Sequence, residues 1–374
     1  MSRKTTALTQ AALSLLHATG AGGLLAPFTR GKGVIFTLHN VRPEPPEAFE
    51  PNRILKITPE FLETAIETVQ KAGYDIVSLD EAARRMKSTE PSQPFACFTF
   101  DDGYRDNRDF AYPVFKKHGL PFAIYVATDY ADGHGELWWF VLENAIRKAD
   151  RVRLTLDGVE REFESGTIEA KYDAFHEIYW ALRDRPEVEL RAAVRRIAEE
   201  AGYDWSALCR DLVMTWDELR ELAADPLVTI GAHTRRHFAV GKLAEDDARA
   251  EIAESVVRIE GELGRPCRHF SFPYGDSCAA GERDFAIAKS LGLETAVTTR
   301  KDVMRGSYTM TSLPRVSLNG DYQEPRYVEV MMTGVPFRIF DAAKAVLDPV
   351  RSFFRTRNGA ALPASATRPG AASI

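Results

Sequence analysis

The sequence has few cysteines, no excess of positive charge and no long hydrophobic run. Its four cysteines (Cys97, Cys209, Cys267, Cys278) show no Cys-x-x-Cys spacing, so neither a disulfide framework nor a thiolate metal site is expected. The formal net charge is -6 at pH 7, which argues against a nucleic-acid partner. No run of 18 apolar residues occurs, so no membrane-spanning helix is predicted.

The first residues are basic and then mildly apolar, which raises the question of a signal peptide. Polar residues interrupt this apolar stretch at Thr9, Gln10, Ser14 and His17, and its leucines and alanines recur at helical spacing. This pattern favours an amphipathic helix over a signal peptide. A cytoplasmic location is the resulting expectation.

What is present is an alternation of strand-like and helix-like segments. Apolar runs at Val34–Asn40, Phe95–Phe100 and Phe122–Thr128 are separated by amphipathic stretches, and the same alternation resumes after residue 213. Strands that alternate with helices favour a parallel sheet. For 374 residues, the sequence predicts an α/β fold, a closed or nearly closed barrel with an insertion.

The alternation breaks between residues 129 and 213, which are mainly helical apart from a hairpin predicted to turn at Asp157-Gly158. The chain therefore divides into 1–33 (N-terminal helix and lead-in), 34–128 (first part of the barrel), 129–213 (helical insertion or cap), 214–335 (second part of the barrel) and 336–374 (C-terminal helix and disordered tail). Within the insertion, Trp138 and Trp139 either pack in its core or stack against a sugar.

Polar residues follow several predicted strands. Asp101 and Asp102 end one strand, and two adjacent carboxylates repel each other unless a cation or a proton separates them. His233 and His237 follow another strand, at a spacing that suits capture of a divalent metal. In a parallel barrel these strand ends meet at one face. One carboxylate and two imidazoles would then bind the metal, and the second carboxylate would remain free as a base.

Three segments, TFDDGY, HTRRH and FSFPYG, occur in this order and resemble the first three motifs of the polysaccharide deacetylases, carbohydrate esterase family 4. The resemblance covers about Val34 to Leu318. It implies a distorted (β/α) barrel of the polysaccharide deacetylase type and a divalent metal, most often zinc. Carried over by motif, it implies these roles: catalytic base Asp101, metal ligands Asp102, His233 and His237, and a backbone N–H of Tyr274 for the oxyanion.

Two positions depart from the family pattern. Ser271 stands where many members carry an arginine that pairs with the base, and either Arg268 or Arg315 is a spatial substitute. Arg315 itself stands where many members carry the histidine that acts as general acid. His39, at the end of the first barrel strand, is the candidate for that acid. The alternative for His39 is a structural or substrate-contacting histidine.

The sequence thus predicts a metal-dependent hydrolase that removes N-acetyl groups from an N-acetylglucosamine-containing oligo- or polysaccharide, similar to a chito-oligosaccharide deacetylase. The predicted partner is the acetylated saccharide substrate. One alternative is a hydrolase of an O-acetyl sugar ester or a small non-sugar amide. Another is a catalytically silent barrel that binds glycans, although the complete Asp/Asp/His/His set weighs against it.

Overall fold

Strands alternate with helices along most of the chain, of which the computed structural model describes residues 3–343 and residue 345. The strands are β1 (Gly33–Leu38), β2 (Asn40–Val41), β3 (Lys56–Ile57), β4 (Asp75–Ile76), β5 (Phe95–Phe100), β6 (Phe122–Val126), β7 (Arg151–Leu156), β8 (Val159–Glu164), β9 (Val228–Ala232), β10 (His269–Ser271), β11 (Thr295–Val297) and β12 (Val316–Ser317). The helices are α1 (Arg3–Ala18), α2 (Ala21–Thr29), α3 (Pro59–Lys71), α4 (Leu79–Lys87), α5 (Tyr112–His118), α6 (Thr128–Ala131), α7 (Trp138–Lys148), α8 (Ile168–Arg183), α9 (Glu187–Glu200), α10 (Leu208–Leu212), α11 (Trp216–Ala223), α12 (Glu245–Leu263), α13 (Glu282–Ser290) and α14 (Pro325–Met332).

The central sheet is parallel and has the strand order β11-β10-β9-β6-β5-β1-β12, with β4 beside the beginning of β5. It curls into a half-barrel, so the predicted α/β fold with a distorted (β/α) barrel is confirmed. The register pairs Leu38 with Phe100 and Val126 with Ala232. Because these residues end their strands, the loops that follow β1, β5, β6 and β9 emerge at one edge of the sheet.

Local sequence accounts for the barrel elements. All six residues of β1 and of β5 are buried, as expected for strands of a parallel sheet that is covered on both faces. Helix α3 begins where the sequence predicts, because the side chain of Thr58 accepts a hydrogen bond from the backbone N–H of Phe61 and Pro59 occupies the first helical position.

The segment between β6 and β9 carries helices α7–α10 and the hairpin β7–β8. The hairpin turns at Asp157 and Gly158, with φ of 53° and 76°, as the sequence predicts. The apolar side chains of this segment form a cluster of their own that also includes Tyr104 and Tyr274 from the barrel loops. The insertion is therefore packed over the carboxyl-terminal edge of the sheet. The exact division of the chain into domains stays a prediction.

The two ends of the described chain lie together, since α1 packs against α14. No single helix of the described residues is long and apolar enough to cross a membrane; Thr5–Ala18 and Ala21–Thr29 reach that length and composition only as a pair, which is bent by 90°. The predicted C-terminal helix is described as helix over 335–343. The predicted disordered tail lies outside the described residues, and the cytoplasmic location stays a prediction.

Candidate active site

The six residues singled out in the sequence lie around one cavity at the carboxyl-terminal edge of the sheet. They come from the loops after β1, β5, β9 and β10, namely His39, Asp101, Asp102, His233, His237 and Tyr274. The wall also contains residues that the sequence did not single out for this role, namely Leu55, Tyr179 and Thr299, together with Trp139. The structure thus brings every predicted site residue to one place.

Several residues at this cavity have a positive φ, a backbone conformation that is unfavourable for residues other than glycine. Five non-glycine residues of the described chain have a positive φ, and four of them belong to these loops: Asp102 (73°), Thr234 (60°), His237 (58°) and Tyr274 (60°). Such residues persist only where the surrounding structure holds them, and they concentrate at functional sites. His233 and His237 accordingly lie on a tight loop and not on a helical turn.

Asp102, His233 and His237 present one ligand atom each within 4.8 Å of one another. Oδ1 of Asp102 lies 3.1 Å from Nε2 of His237 and 3.6 Å from Nε2 of His233. In a tetrahedral zinc site with ligand bonds of about 2.0–2.1 Å, neighbouring ligand atoms lie about 3.4 Å apart. The observed separations straddle that value.

The surroundings of these side chains also fit a metal. Nδ1–H of His233 donates to the carbonyl of Ser271 at 2.7 Å, which leaves Nε2 as the free lone pair facing Asp102. Burial lowers the pKa of His233 to about 4, so this imidazole is neutral near pH 7, the form that binds a metal. Oδ1 of Asp102 is buried and accepts no hydrogen bond from any described residue. A cation at this point would satisfy it.

Arg315 and Asp101 form a bidentate ion pair beside this triad. The guanidinium donates to the two carboxylate oxygens at 2.8 and 2.6 Å, and its three other N–H groups reach Thr298, Thr99 and Ser271. Burial alone would raise the pKa of Asp101, but the charge and hydrogen bonds of Arg315, together with the neighbouring His233 and His39, outweigh it and hold that pKa well below its usual range. Asp101 is therefore an ionised carboxylate at neutral pH.

This pair resolves the open choice between Arg268 and Arg315. Arg268 is half-exposed and lies beside Asp80 and Glu294, away from the cavity. Arg315 is fully buried, and Ser271 leaves room for it by carrying only a hydroxyl, which accepts one of its N–H groups at 3.0 Å. Arg315 is thus the partner of Asp101 in this chain.

Tyr274 is held on both sides by the insertion. Its hydroxyl accepts a hydrogen bond from Nε1–H of Trp138 at 2.7 Å, and the guanidinium carbon of Arg183 lies 3.8 Å from the centre of its ring. Its carbonyl accepts from the hydroxyl of Thr299 at 2.5 Å. Gly275 follows with φ of 60°, and a Cβ there would meet the backbone N of Thr299 at 2.5 Å, so only glycine fits.

The two adjacent tryptophans have different surroundings. Trp138 is fully buried and donates a hydrogen bond to the Tyr274 hydroxyl, so it packs in the core. Trp139 is also buried, but it lines the cavity with its ring 5.0 Å from that of His237. The two residues are consecutive in α7, so they point in different directions from the helix, and Trp139 is the one that faces the histidine loop. The sequence contains no other feature that distinguishes them.

His39 lies at the cavity, half-buried, and its backbone carbonyl accepts a hydrogen bond from Asn107 at 2.6 Å. Burial lowers its pKa, and the carboxylates of Asp102 and Asp101 oppose that effect. The ring thus lies in the field of both carboxylates.

The family model described as polysaccharide deacetylase matches residues 88–296, more than half of the chain. This chain belongs to the polysaccharide deacetylase family. It is accordingly a deacetylase-type hydrolase, as the sequence predicts.

Individual relatives are more distant. A Bacillus subtilis (strain 168) protein provisionally named polysaccharide deacetylase YxkH is 33% identical over 73 residues, which span 19% of this chain and 26% of that protein. The Streptococcus pyogenes deacetylase PplD, solved in complex with acetate, superposes with a TM-score of 0.55 at 16% identity, covering 80% of this chain and 98% of that one. IcaB from Ammonifex degensii gives 0.50 at 18% identity, covering 81% and 98%. At these identities the structural likenesses show the fold alone, the distorted deacetylase barrel.

Proposed function

We propose that this protein is a divalent-metal-dependent deacetylase that removes N-acetyl groups from an N-acetylglucosamine-containing oligo- or polysaccharide. The observation that carries the proposal is the pairing of two adjacent carboxylates with different partners in one cavity. Asp101 faces the Arg315 guanidinium, and Asp102 faces His233 and His237. Amide hydrolysis needs both a base and an electrophile, and this arrangement supplies a site for each.

Asp102, His233 and His237 would hold the metal, and their carboxylate and imidazole donors suit zinc. When bound, the metal supplies Lewis acidity, which polarises the acyl carbonyl and makes water more acidic. All three residues line the cavity, so a metal that they held would be accessible to water and substrate. This is the requirement for a catalytic metal site as opposed to a structural one.

The side chains beside the triad would move the protons. Asp101, ionised and oriented by Arg315, would accept the proton of the attacking water. The backbone N–H of Tyr274, whose φ is 60°, would donate a hydrogen bond to the oxyanion. His39, on the same cavity, would donate a proton to the departing amine nitrogen from its protonated form, which the carboxylates of Asp101 and Asp102 favour.

The wall from the insertion would face the saccharide. Trp139 and Tyr179 give the cavity apolar ring surfaces, against which the C–H face of a sugar packs well. Leu55, immediately before β3, adds an aliphatic surface to the same cavity. The substrate side of the proposal rests on these three side chains.

The test is acetate release from N-acetyl chito-oligomers and, separately, from O-acetyl xylo-oligomers, with the protein as purified, after chelation and after zinc is added back. We expect release from the chito-oligomers that chelation abolishes and zinc restores. Release only from the xylo-oligomers would make the protein an O-acetyl esterase. No release from either set by the zinc-loaded protein would contradict the proposal.

Asp101→Asn gives a matched check of the base. We expect the variant to retain stoichiometric zinc and to lose about two to four orders of magnitude in kcat, the scale of general-base catalysis. Asp217→Asn, at a side chain that is 88% exposed, is the control and should keep wild-type turnover. Near wild-type turnover in Asp101→Asn would remove Asp101 from this role.

A further inference from the structure

The N-terminal helices expose large apolar side chains that the active site does not use. Leu8 and Leu15 of α1 are 73% and 65% exposed, and Leu24 and Phe28 of α2 are 79% and 84% exposed. Single exposed leucines are ordinary on a protein surface, but a cluster of them marks an interaction site. Seven of the twelve exposed large apolar side chains of the described residues lie on α1, α2 and the helical segment 335–343. We call these seven the N-terminal apolar face: Leu8, Leu15, Leu24, Leu25, Phe28, Ile339 and Phe340.

These three segments are joined to each other. The hydroxyl of Thr29, at the end of α2, donates to the carbonyl of Thr333 at 2.6 Å, immediately before the segment 335–343 begins. Gly22 packs against Thr333 as well, where a Cβ would lie 3.4 Å from its methyl group. On its inner side, α1 buries Leu13 and packs against α14. The outward sides are therefore left without a partner among the described residues.

Charge distinguishes this region from the rest of the chain. Residues 5–29 contain no Asp, Glu, Lys or Arg. Residues 1–33 carry four basic residues and no acidic one, a charge of +4, so the remainder of a chain with net charge -6 carries -10. Arg30 and Arg338 are exposed beside the apolar face, as is the acidic Asp341, and neither arginine forms a salt bridge with another described residue. Exposed cations that flank apolar helices match the headgroups and acyl boundary of an anionic bilayer.

The position of the face fits a membrane surface. Helix α2 ends at Thr29, close before β1 begins at Gly33, so it lies toward the amino-terminal end of the parallel strands. The candidate active site lies at the carboxyl-terminal end, after β5. A bilayer against α2 would leave the cavity open to water. Because the inner side of α1 is committed to α14, the helices would lie on the bilayer and not cross it.

We propose that the N-terminal apolar face docks this deacetylase reversibly on an anionic lipid bilayer. Leu24 and Phe28 would insert into the acyl boundary, and Arg30 and Arg338 would contact the anionic headgroups. The protein would then act at a membrane surface on saccharide that approaches from the aqueous side. This inference does not depend on the proposed catalytic mechanism.

The test is co-sedimentation of the full chain with vesicles of phosphatidylcholine, alone or mixed with phosphatidylglycerol. We expect binding to the mixed vesicles that weakens with added salt, since the electrostatic part is screened. Leu24→Gln combined with Phe28→Gln should weaken binding by at least about tenfold, because both apolar side chains are lost from the bilayer. Arg30→Glu should weaken binding to the mixed vesicles by more than about fivefold, the scale of one basic residue at such a surface.

Val159→Gln combined with Val257→Gln is the matched control, since these side chains are 62% and 67% exposed elsewhere on the protein. This control should bind vesicles as the wild type does, and both double variants should keep wild-type melting temperatures. Light scattering on the same samples tests a second copy as the occupant. Absence of vesicle binding by the wild type would overturn the proposal. If the wild type is then a dimer and the Leu24/Phe28 variant is a monomer, the face binds a second copy of the chain and not a bilayer.

Discussion

The guanidinium of Arg315 spans the carboxylate of Asp101 in a bidentate pair, although the two residues lie 214 positions apart in the chain. Both side chains are almost fully excluded from solvent. All five N–H groups of Arg315 donate to described acceptors, so the arginine is buried with its hydrogen bonds satisfied. The adjacent carboxylate, Asp102, faces His233 and His237 instead. Two like charges in sequence are thereby separated into two different environments.

The first prediction moves the arginine partner of Asp101 from position 315 to position 271. Arg315→Ser should destabilise the protein by about 3–5 kcal/mol, because it leaves the Asp101 charge buried without a partner. Many family members carry the arginine at the position of Ser271, and that side chain already lies 3.0 Å from Arg315. Adding Ser271→Arg to Arg315→Ser should therefore recover part of both stability and turnover.

The measurements are urea unfolding and acetate release for the wild type, the single variants and the double variant. If the effects of the two single changes simply add in the double variant, an arginine at position 271 does not replace Arg315. The position of the arginine would then matter, and not only its charge. Arg268→Ser is the control, since Arg268 is half-exposed and distant from the cavity. It should leave both quantities unchanged.

A second prediction concerns metal removal. Oδ1 of Asp102 has no hydrogen-bond donor among the described residues, so zinc should stabilise the folded state. Free zinc at one hundred times its Kd would add about 2.7 kcal/mol to the free energy of unfolding. His237→Ala should abolish this gain, as should Asp102→Asn. His134→Ala, at an exposed histidine, should keep it.

The measurement is the melting temperature with chelator and with zinc, together with metal content by mass spectrometry. A zinc-dependent rise that persists in both His237→Ala and Asp102→Asn would place the metal elsewhere. A rise in the wild type that disappears in either variant, with the His134→Ala control unaffected, supports the proposed ligand set.

A third prediction concerns the link between the insertion and the loop of Tyr274. Trp138→Phe removes the donor to the tyrosine hydroxyl but preserves most of the apolar volume. We expect a stability loss of about 1 kcal/mol, the typical value of one hydrogen bond. If Tyr274 supplies an oxyanion donor, loosening its loop should lower kcat more than it raises KM.

Trp180→Phe is the matched control, since Trp180 lies on α8 and is partly exposed. It should change neither kcat nor KM. A Trp138→Phe variant with wild-type kcat and an increased KM would instead assign this contact to substrate binding.

The sequence predicted the parts of the site that lie close together in the chain. Asp101 and Asp102 are adjacent, and His233 and His237 share one loop, so the two short motifs taken together indicate a cation site. The hairpin at Asp157 and the start of α3 at Thr58 are equally local. Turn and capping chemistry operates over a few residues, and a single sequence contains all of it.

The contacts that could not be predicted join distant segments. The Arg315–Asp101 pair remained one of two possibilities, because only the assembled sheet places β12 beside β1, with β5 on the other side of β1. Tyr179 and Trp139 reach the cavity only through the packing of the insertion, which no local pattern encodes. A signal for Arg315 existed nevertheless: an arginine within an apolar strand segment needs a carboxylate partner when it is buried.

The last prediction uses an ion pair that ties the loop of the two aspartates to α11. Glu218 accepts hydrogen bonds from Arg105 at 2.9 Å and from the backbone N–H of Thr215 at 2.7 Å. Burial alone would raise the pKa of Glu218, but these donors lower it to about 2, against an ordinary value of 4.5. Because the folded-state pKa is depressed, the stabilisation is complete above about pH 4.5 and disappears as the pH falls toward 2.

Glu218→Gln should therefore lower the free energy of unfolding by roughly 1–2 kcal/mol at pH 7, with solvent screening of this partly exposed group taken into account. The difference between wild type and variant should shrink steadily below about pH 4.5, since the carboxylate of the unfolded wild-type chain then binds a proton, whereas that of the folded chain stays ionised until about pH 2. Urea unfolding at a series of pH values measures it, with Glu221→Gln as the control at an exposed position of the same helix. A difference that is constant from neutral to acid pH would mean that Glu218 stabilises the loop by packing and not by its charge.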